Sequence, residues 1–177
     1  MSKILVLSGS PRKGGNTDEL VAAFCKGAAK HEVEVVSVRD IKVNPCIACD
    51  SCFKREHNEC FQNDDMGLIY DKMKSADIVI IASPVYFYGV SAQLKCIIDR
   101  CHNPIRNTFN IKKLGLILVG AASLPTLFDS IISQYELVLK FFNLSDAGKV
   151  LIRGAKGRGD LPQEDINKAF LFGESIQ

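Results

Sequence analysis

Short runs of branched apolar residues alternate along this chain with stretches in which apolar residues recur at helical spacing. Ile4 to Leu7, bounded by Gly9 and Pro11, reads as a strand buried on both faces. From Asn16 onward Leu20, Val21, Phe24 and Ala28 mark one face of a helix, with Asp18, Glu19, Lys26 and Lys30 on the other. Val33 to Val38 is a second β-branched strand. Residues 39–63 show no period and form a loop longer than the roughly 12–15 residues at which loops become uncommon and usually functional. Asp64 and Asp65 suit the positive start of a helix carrying Leu68, Ile69 and Met73. Asp77 to Ala82 is a third strand, and Leu94, Ile97, Ile98 and Cys101 mark a third helix capped by Ser91. Leu114 to Val119 is a fourth strand, and Phe128, Ile131, Ile132, Tyr135, Val138 and Phe142 give a fourth helix. Val150 to Ile152 is a short fifth strand, and Gln163 to Phe172 a last helix.

This alternation implies a parallel sheet with helices on both faces. Five strands and five helices fit an α/β flavodoxin-like three-layer sandwich, strand order 2-1-3-4-5, better than a six-stranded dinucleotide fold. In such sheets the ligand lies at the carboxyl ends of the strands, beside the switch point between the first and third. Residues 1–177 are expected to form one domain, with 39–63 as a cysteine-rich insertion.

Composition narrows the function. The chain is 47% hydrophobic and 24% charged, as a water-soluble globular domain would be. No apolar run approaches the roughly 20 residues of a membrane span. Only four strongly apolar residues follow Met1-Ser2-Lys3, too few for a signal-peptide core, so a cytoplasmic location is expected. A net charge of +2 without a basic stripe argues against nucleic-acid binding. Seven cysteines is an odd count, better read as thiols or metal ligands than as a disulfide framework.

Two loops carry the chemistry. Gly9 to Thr17, after the first strand, combines three glycines with the donors Ser10, Asn16 and Thr17 and the guanidinium of Arg12. Gly15 lets the backbone approach an anion at the helix start, and Arg12 can fork onto phosphate oxygens. No Gly-Lys-Ser/Thr follows, so this is not a nucleoside-triphosphate loop. After the third strand, Pro84, Val85, Tyr86, Phe87, Tyr88 and Gly89 set three successive aromatics at the next switch-point loop. A phosphate cradle beside apolar rings suits a flat ring carrying one phosphate. The second strand ends without an acidic ribose-binding residue, which favours flavin mononucleotide over NAD as the resident cofactor.

GSPRKGGNT at 9–17, the cysteine loop running into Asp64-Asp65-Met66, and SPVYFYGVSAQLKCIIDR at 83–100 together resemble the flavodoxin-like NAD(P)H-dependent FMN reductases, within them the iron–sulfur flavoproteins. The resemblance covers roughly residues 3–155. It implies FMN as cofactor and NAD(P)H as transient co-substrate. It implies phosphate contacts at Ser10, Arg12, Asn16 and Thr17 and ring contacts at 84–89, with Ala121 in a third wall formed by Gly120 to Ser123. It also implies a homodimer or homotetramer. The expected activity is hydride transfer from NAD(P)H to FMN and on to a small-molecule or protein acceptor. The alternative is an iron–sulfur flavoprotein or flavodoxin-like carrier passing electrons between protein partners.

Cys46, Cys49, Cys52 and Cys60 have C-x2-C-x2-C-x7-C spacing. Three readings stand: a 4Fe-4S cluster feeding electrons to the flavin, zinc held by four thiolates or by three with His57, or reduced thiols in a structural loop. Cys25, Cys96 and Cys101 fall on helix faces as small core residues. His31 and His102 lie near helix ends.

Overall fold

The computed structural model describes residues 1–177. Its elements are β1 (Lys3–Ser8), α1 (Asn16–Gly27), β2 (Glu32–Ser37), α2 (Met66–Ser75), β3 (Ile78–Pro84), α3 (Ala92–Arg100), β4 (Lys113–Val119), α4 (Asp129–Phe142), β5 (Ser145–Ile152) and α5 (Gln163–Ser175). All strand pairs are parallel and the order is β2-β1-β3-β4-β5. The expected sandwich is the observed one.

Alternation along the strands splits the core into two layers. Leu5, Leu7, Val79, Ile81, Leu114, Leu116 and Leu118 face α2, α3 and α4. Ile4, Val6, Ile78, Ile80, Ile117 and Val119 face α1 and α5, where the Phe24 and Phe172 rings stand 5.3 Å apart. No helix is long and apolar enough to cross a membrane.

Three details differ from the sequence expectation. β5 begins at Ser145, five residues earlier than its apolar run, because Ser145 to Lys149 pair with β4 along the sheet edge across a register shift at Leu114/Gly115. Edge strands are half-solvated, so their polar residues hide the strand signal. Residues Pro104–Thr108 form a 3₁₀ helix opened by Asn103, whose Oδ1 accepts the Ile105 N–H at 3.0 Å. The 39–63 insertion has short 3₁₀ turns at Ser51–Phe53 and Glu56–Asn58, and its ends are joined. The Lys42 N–H donates to Asp65 Oδ2 at 2.6 Å, the Asp65 N–H to the Lys42 carbonyl at 3.0 Å, and Gln62 Nε2 to the Pro45 carbonyl at 3.2 Å.

Candidate functional site

β1 pairs with both β2 and β3, and β3 with β4. The loops after β1, β3 and β4 therefore leave neighbouring strands at one sheet edge. This is the edge where open α/β sheets place their ligands, beside the topological switch point.

In the loop after β1, the Gly9 N–H donates to the Ala82 carbonyl at 2.7 Å and extends the ladder by one residue. The chain then turns sharply. The Ser10 hydroxyl donates to the Arg12 carbonyl at 3.1 Å and accepts the Arg12 N–H at 3.3 Å. Gly14 adopts φ +65°, a left-handed conformation costly for a residue with Cβ, and its N–H donates to Asp18 Oδ2 at 2.6 Å. The N–H groups of Lys13, Gly15, Asn16 and Thr17 have no acceptor within the protein. Thr17 is 2% exposed, and the buried amide oxygen of Asn16 has no partner, while Asn16 Nδ2 donates to the Ala155 carbonyl at 3.3 Å. Arg12 is exposed, and its side chain makes no hydrogen bond or ion pair. A row of free N–H groups at a helix start suits a phosphate. The residues expected to form a phosphate cradle are thus together, with the Arg12 guanidinium and the N–H groups of Lys13, Gly15, Asn16 and Thr17 unspent.

The loop after β3 begins with the Val85 N–H donating to the Val119 carbonyl at 2.9 Å. Tyr86 and Gly89 then exchange reciprocal backbone bonds of 2.9 and 3.0 Å around Phe87 (φ 48°) and Tyr88 (φ 64°). Two central residues with positive φ make a type I′ turn, whose usual occupants are Asn and Gly. Aromatic residues there carry strain of about 1–3 kcal/mol each, of the kind held at functional sites. Phe87 is 98% exposed, its ring 6.0 Å from that of Tyr88. The Ser130 hydroxyl donates to the Tyr88 carbonyl and ties the turn to α4. Ser83 Oγ anchors its base, accepting the Ser91 N–H at 3.1 Å and donating to the Pro84 carbonyl at 2.8 Å.

After β4, Ala121 is exposed, and the N–H groups of Ala121, Ala122 and Ser123 have no acceptors. The carbonyls of Gly120 and Ala122 accept the N–H groups of Ala155 and Gly154 at 3.1 and 3.2 Å, which joins this wall to the segment after β5.

Two braces were not evident from sequence. Arg39, just after β2, bonds the loop after β1 and Asp18, and Arg158, in the β5–α5 connection, donates to the Lys13 carbonyl. Arg39 could have been found by noting that β2 lies beside β1, so the residue after it emerges next to this loop.

The cysteine loop is rooted by a buried ion pair. Arg100 Nη1 lies 2.5 Å from Asp64 Oδ2, with side chains 3% and 1% exposed. Asp64 also accepts the N–H groups of Asn44 at 2.9 Å and Met66 at 3.2 Å. Burial pushes its carboxyl up, but the Arg100 hydrogen bond and the two backbone donors outweigh this and leave it below the ordinary range. Sequence placed Asp64 at a helix start; its larger role is to hold the insertion to α3.

The cluster expectation is corrected by the loop's geometry. No three His, Cys, Asp or Glu side chains come together in an arrangement able to hold a metal ion. The backbone is left-handed at Ala48 (φ 52°) and Asp50 (φ 55°), on either side of Cys49. Cys46 and Cys49 are exposed while Cys52 and Cys60 are half-buried, and Cys49 Sγ lies 3.1 Å from the Ser51 hydroxyl. Burial, with the neighbouring thiols Cys60, Cys46 and Cys49, pushes the Cys52 thiol up. The zinc alternative fails likewise, since His57 is exposed and pairs only with Glu56. All seven cysteines are free thiols.

Residues 2–132 match the family model described as NADPH-dependent FMN reductase. The chain belongs to the NADPH-dependent FMN reductase family. It is 44% identical over 124 residues to an iron–sulfur flavoprotein of Methanocaldococcus jannaschii, covering 68% of this chain and 63% of that one. A second, from Archaeoglobus fulgidus, is 34% identical over 186 residues, covering 98% and 78%. Against the first two relatives matched, the chain spans about three fifths of their length. The fold is also that of an NAD(P)H:quinone oxidoreductase from Methanothermobacter marburgensis, with TM-score 0.78, 14% identity and 98% of each chain covered.

Proposed function

We propose that the protein is an FMN-dependent oxidoreductase that takes hydride from a reduced nicotinamide and delivers electrons to a small-molecule or protein acceptor. The observation that carries the reading is the convergence of unspent donors and a strained aromatic turn at the carboxyl ends of β1, β3 and β4. FMN, when bound, supplies hydride acceptance and electron release.

In this reading the N–H groups of Gly15, Asn16 and Thr17, the hydroxyls of Ser10 and Thr17, and Arg12 hold the phosphate. Pro84 to Gly89 orient the ring, with the N–H groups of Phe87 and Tyr88 free to donate. Tyr86, Phe87 and Tyr88 exclude water from its edge, and Ala121 with its neighbours faces it across the crevice. Preorganised backbone donors favour the negative charge that reduction places on such a ring. No side-chain acid or base is needed.

The reading extends to a homodimer or homotetramer in the cytoplasm. Leu137 and Phe141 stand exposed on α4, apolar residues on the helix's otherwise polar face, as residues covered by a second copy would be. Seven free thiols suit a reducing compartment. Light scattering behind size-exclusion chromatography tests the assembly, and a monomer at micromolar concentration refutes it.

The deciding experiment mixes FMN-loaded protein with NADPH and with NADH under anaerobic conditions. Bleaching of the flavin absorbance by either is the expected result. Bleaching by neither replaces the reductase reading with an electron carrier fed by a protein partner.

A further inference from the structure

Arg39 reaches across from β2 to the loop after β1. Its Nη1 donates to the Arg12 carbonyl at 3.1 Å, the Ser10 carbonyl at 3.4 Å and Asp18 Oδ1 at 2.9 Å. The other oxygen of Asp18 accepts the Gly14 N–H at 2.6 Å. Arginine and aspartate thus hold three points of a five-residue turn. The C=O and N–H of one trans peptide unit point in opposite directions. Fixing the Arg12 carbonyl on Arg39 therefore turns the Lys13 N–H the other way, and that N–H has no acceptor in the protein. Without Arg39 the Ser10 carbonyl loses its donor and the Arg12 carbonyl keeps only the Ser10 hydroxyl, so both gain freedom to rotate toward a bound anion and repel it. The charge of Arg39 is matched by Asp18, so its contribution to the loop is orientation more than attraction.

We propose that Arg39, acting with Asp18, is a positioning residue for the anion cradle: it engages the Ser10 and Arg12 carbonyls so that the loop turns its backbone N–H groups, not these carbonyls, to a phosphomonoester. The inference rests on residues 9–17 being the FMN phosphate site. Its action is on the phosphate alone, because nothing links Arg39 to the ring-facing loops at 84–89 or 120–123.

FMN and riboflavin separate the two parts of the site, since they share the ring and differ in the phosphate. Full-length protein stripped of flavin is titrated with each, for the wild type, Arg39→Met, Arg39→Lys, Asp18→Asn and Thr17→Val. Loss of charge-assisted bonds in Arg39→Met is expected to weaken FMN about 10–100-fold while riboflavin changes by less than about twofold. Arg39→Lys, which keeps the charge but not the planar fork, should recover part of the loss. An equal loss for both flavins, or no loss for FMN, overturns the positioning role. Failure of the underlying reading looks different: wild-type protein would bind riboflavin as tightly as FMN, and Thr17→Val would leave FMN affinity unchanged. Should Arg39→Met not fold, Arg39→Lys and Asp18→Asn make the same comparison, and an equal change for both flavins overturns the proposal there too.

Discussion

Gly27 of α1 and Gly173 of α5 meet so closely that neither has room for a side chain. A Cβ on Gly27 would stand 2.0 Å from the Phe170 carbonyl oxygen, and one on Gly173 would stand 2.2 Å from that of Phe24. The obstructing atoms are helix backbone, which cannot rotate aside. The contact sets the depth at which α5 lies on the sheet, and α5 follows the segment whose Ala155 carbonyl holds Asn16.

Gly27→Ala is therefore expected to cost about 3 kcal/mol or more, the upper end of the range for overpacking. Urea denaturation should show the loss as a lower midpoint with an unchanged slope. Gly67, whose added Cβ would meet nothing within 4 Å, is the control. Gly67→Ala lies in α2 and should be neutral or stabilising by up to about 1 kcal/mol.

The five strands were legible because each central strand is a continuous apolar run, and Ile4 and Val6 on one face leave Leu5 and Leu7 for the other. The loop after β1 stood out as a candidate anion cradle because Gly9 to Thr17 assembles donors that an ordinary turn does not need. Arg39 and Arg158 were not, since each is a lone arginine whose partners lie 21 to 145 residues away in sequence. The left-handed pair Phe87–Tyr88 ran against residue preference and could be seen only in the backbone angles. Cysteine spacing states how close four thiols lie along the chain, not where their side chains point. That is why C-x2-C-x2-C-x7-C over-read the loop.

Strain in the aromatic turn makes stability and binding move in opposite directions. Replacing Phe87 with Asn and Tyr88 with Gly, the pair preferred in a type I′ turn, should stabilise the flavin-free protein by about 1–2 kcal/mol. The same double variant should bind FMN more weakly, because the rings at the crevice are gone. Thermal unfolding and a flavin titration together check this, and a lower melting temperature would show that the rings support the fold instead.

The free thiols should differ in reactivity by exposure. Cys46 and Cys49 are exposed, whereas burial pushes the Cys101 thiol, which donates to the Ile97 carbonyl at 3.4 Å, up to about 12. Brief treatment with iodoacetamide at neutral pH, read by peptide mass spectrometry, should modify Cys46 and Cys49 first. Cys101 should be modified only after denaturation. Early modification of Cys101 would mean that the α3–α4 side of the core opens readily.

The Asp64–Arg100 pair should make the cysteine loop sensitive to acid. Asp64 titrates below its unfolded value, so its contribution is fully present above the unfolded carboxyl pKa of about 3.9 and is lost as pH falls through the folded pKa. Asp64→Asn leaves the Arg100 guanidinium buried without its counter-charge and is expected to cost about 3–5 kcal/mol at neutral pH. Urea midpoints for wild type and variant should therefore differ most at pH 7 and converge as the pH falls below about 4 and on through the lowered folded pKa of Asp64, beyond which the wild-type carboxyl is neutral too. Proteolysis gives a local reading of the same event, since the Asn44 N–H and carbonyl are both held by this pair. Cleavage within residues 45–63 should accelerate in Asp64→Asn before the sheet unfolds. A stability gap that stays constant from pH 7 to pH 3 would mean that Asp64 acts through its shape and backbone hydrogen bonds rather than its charge.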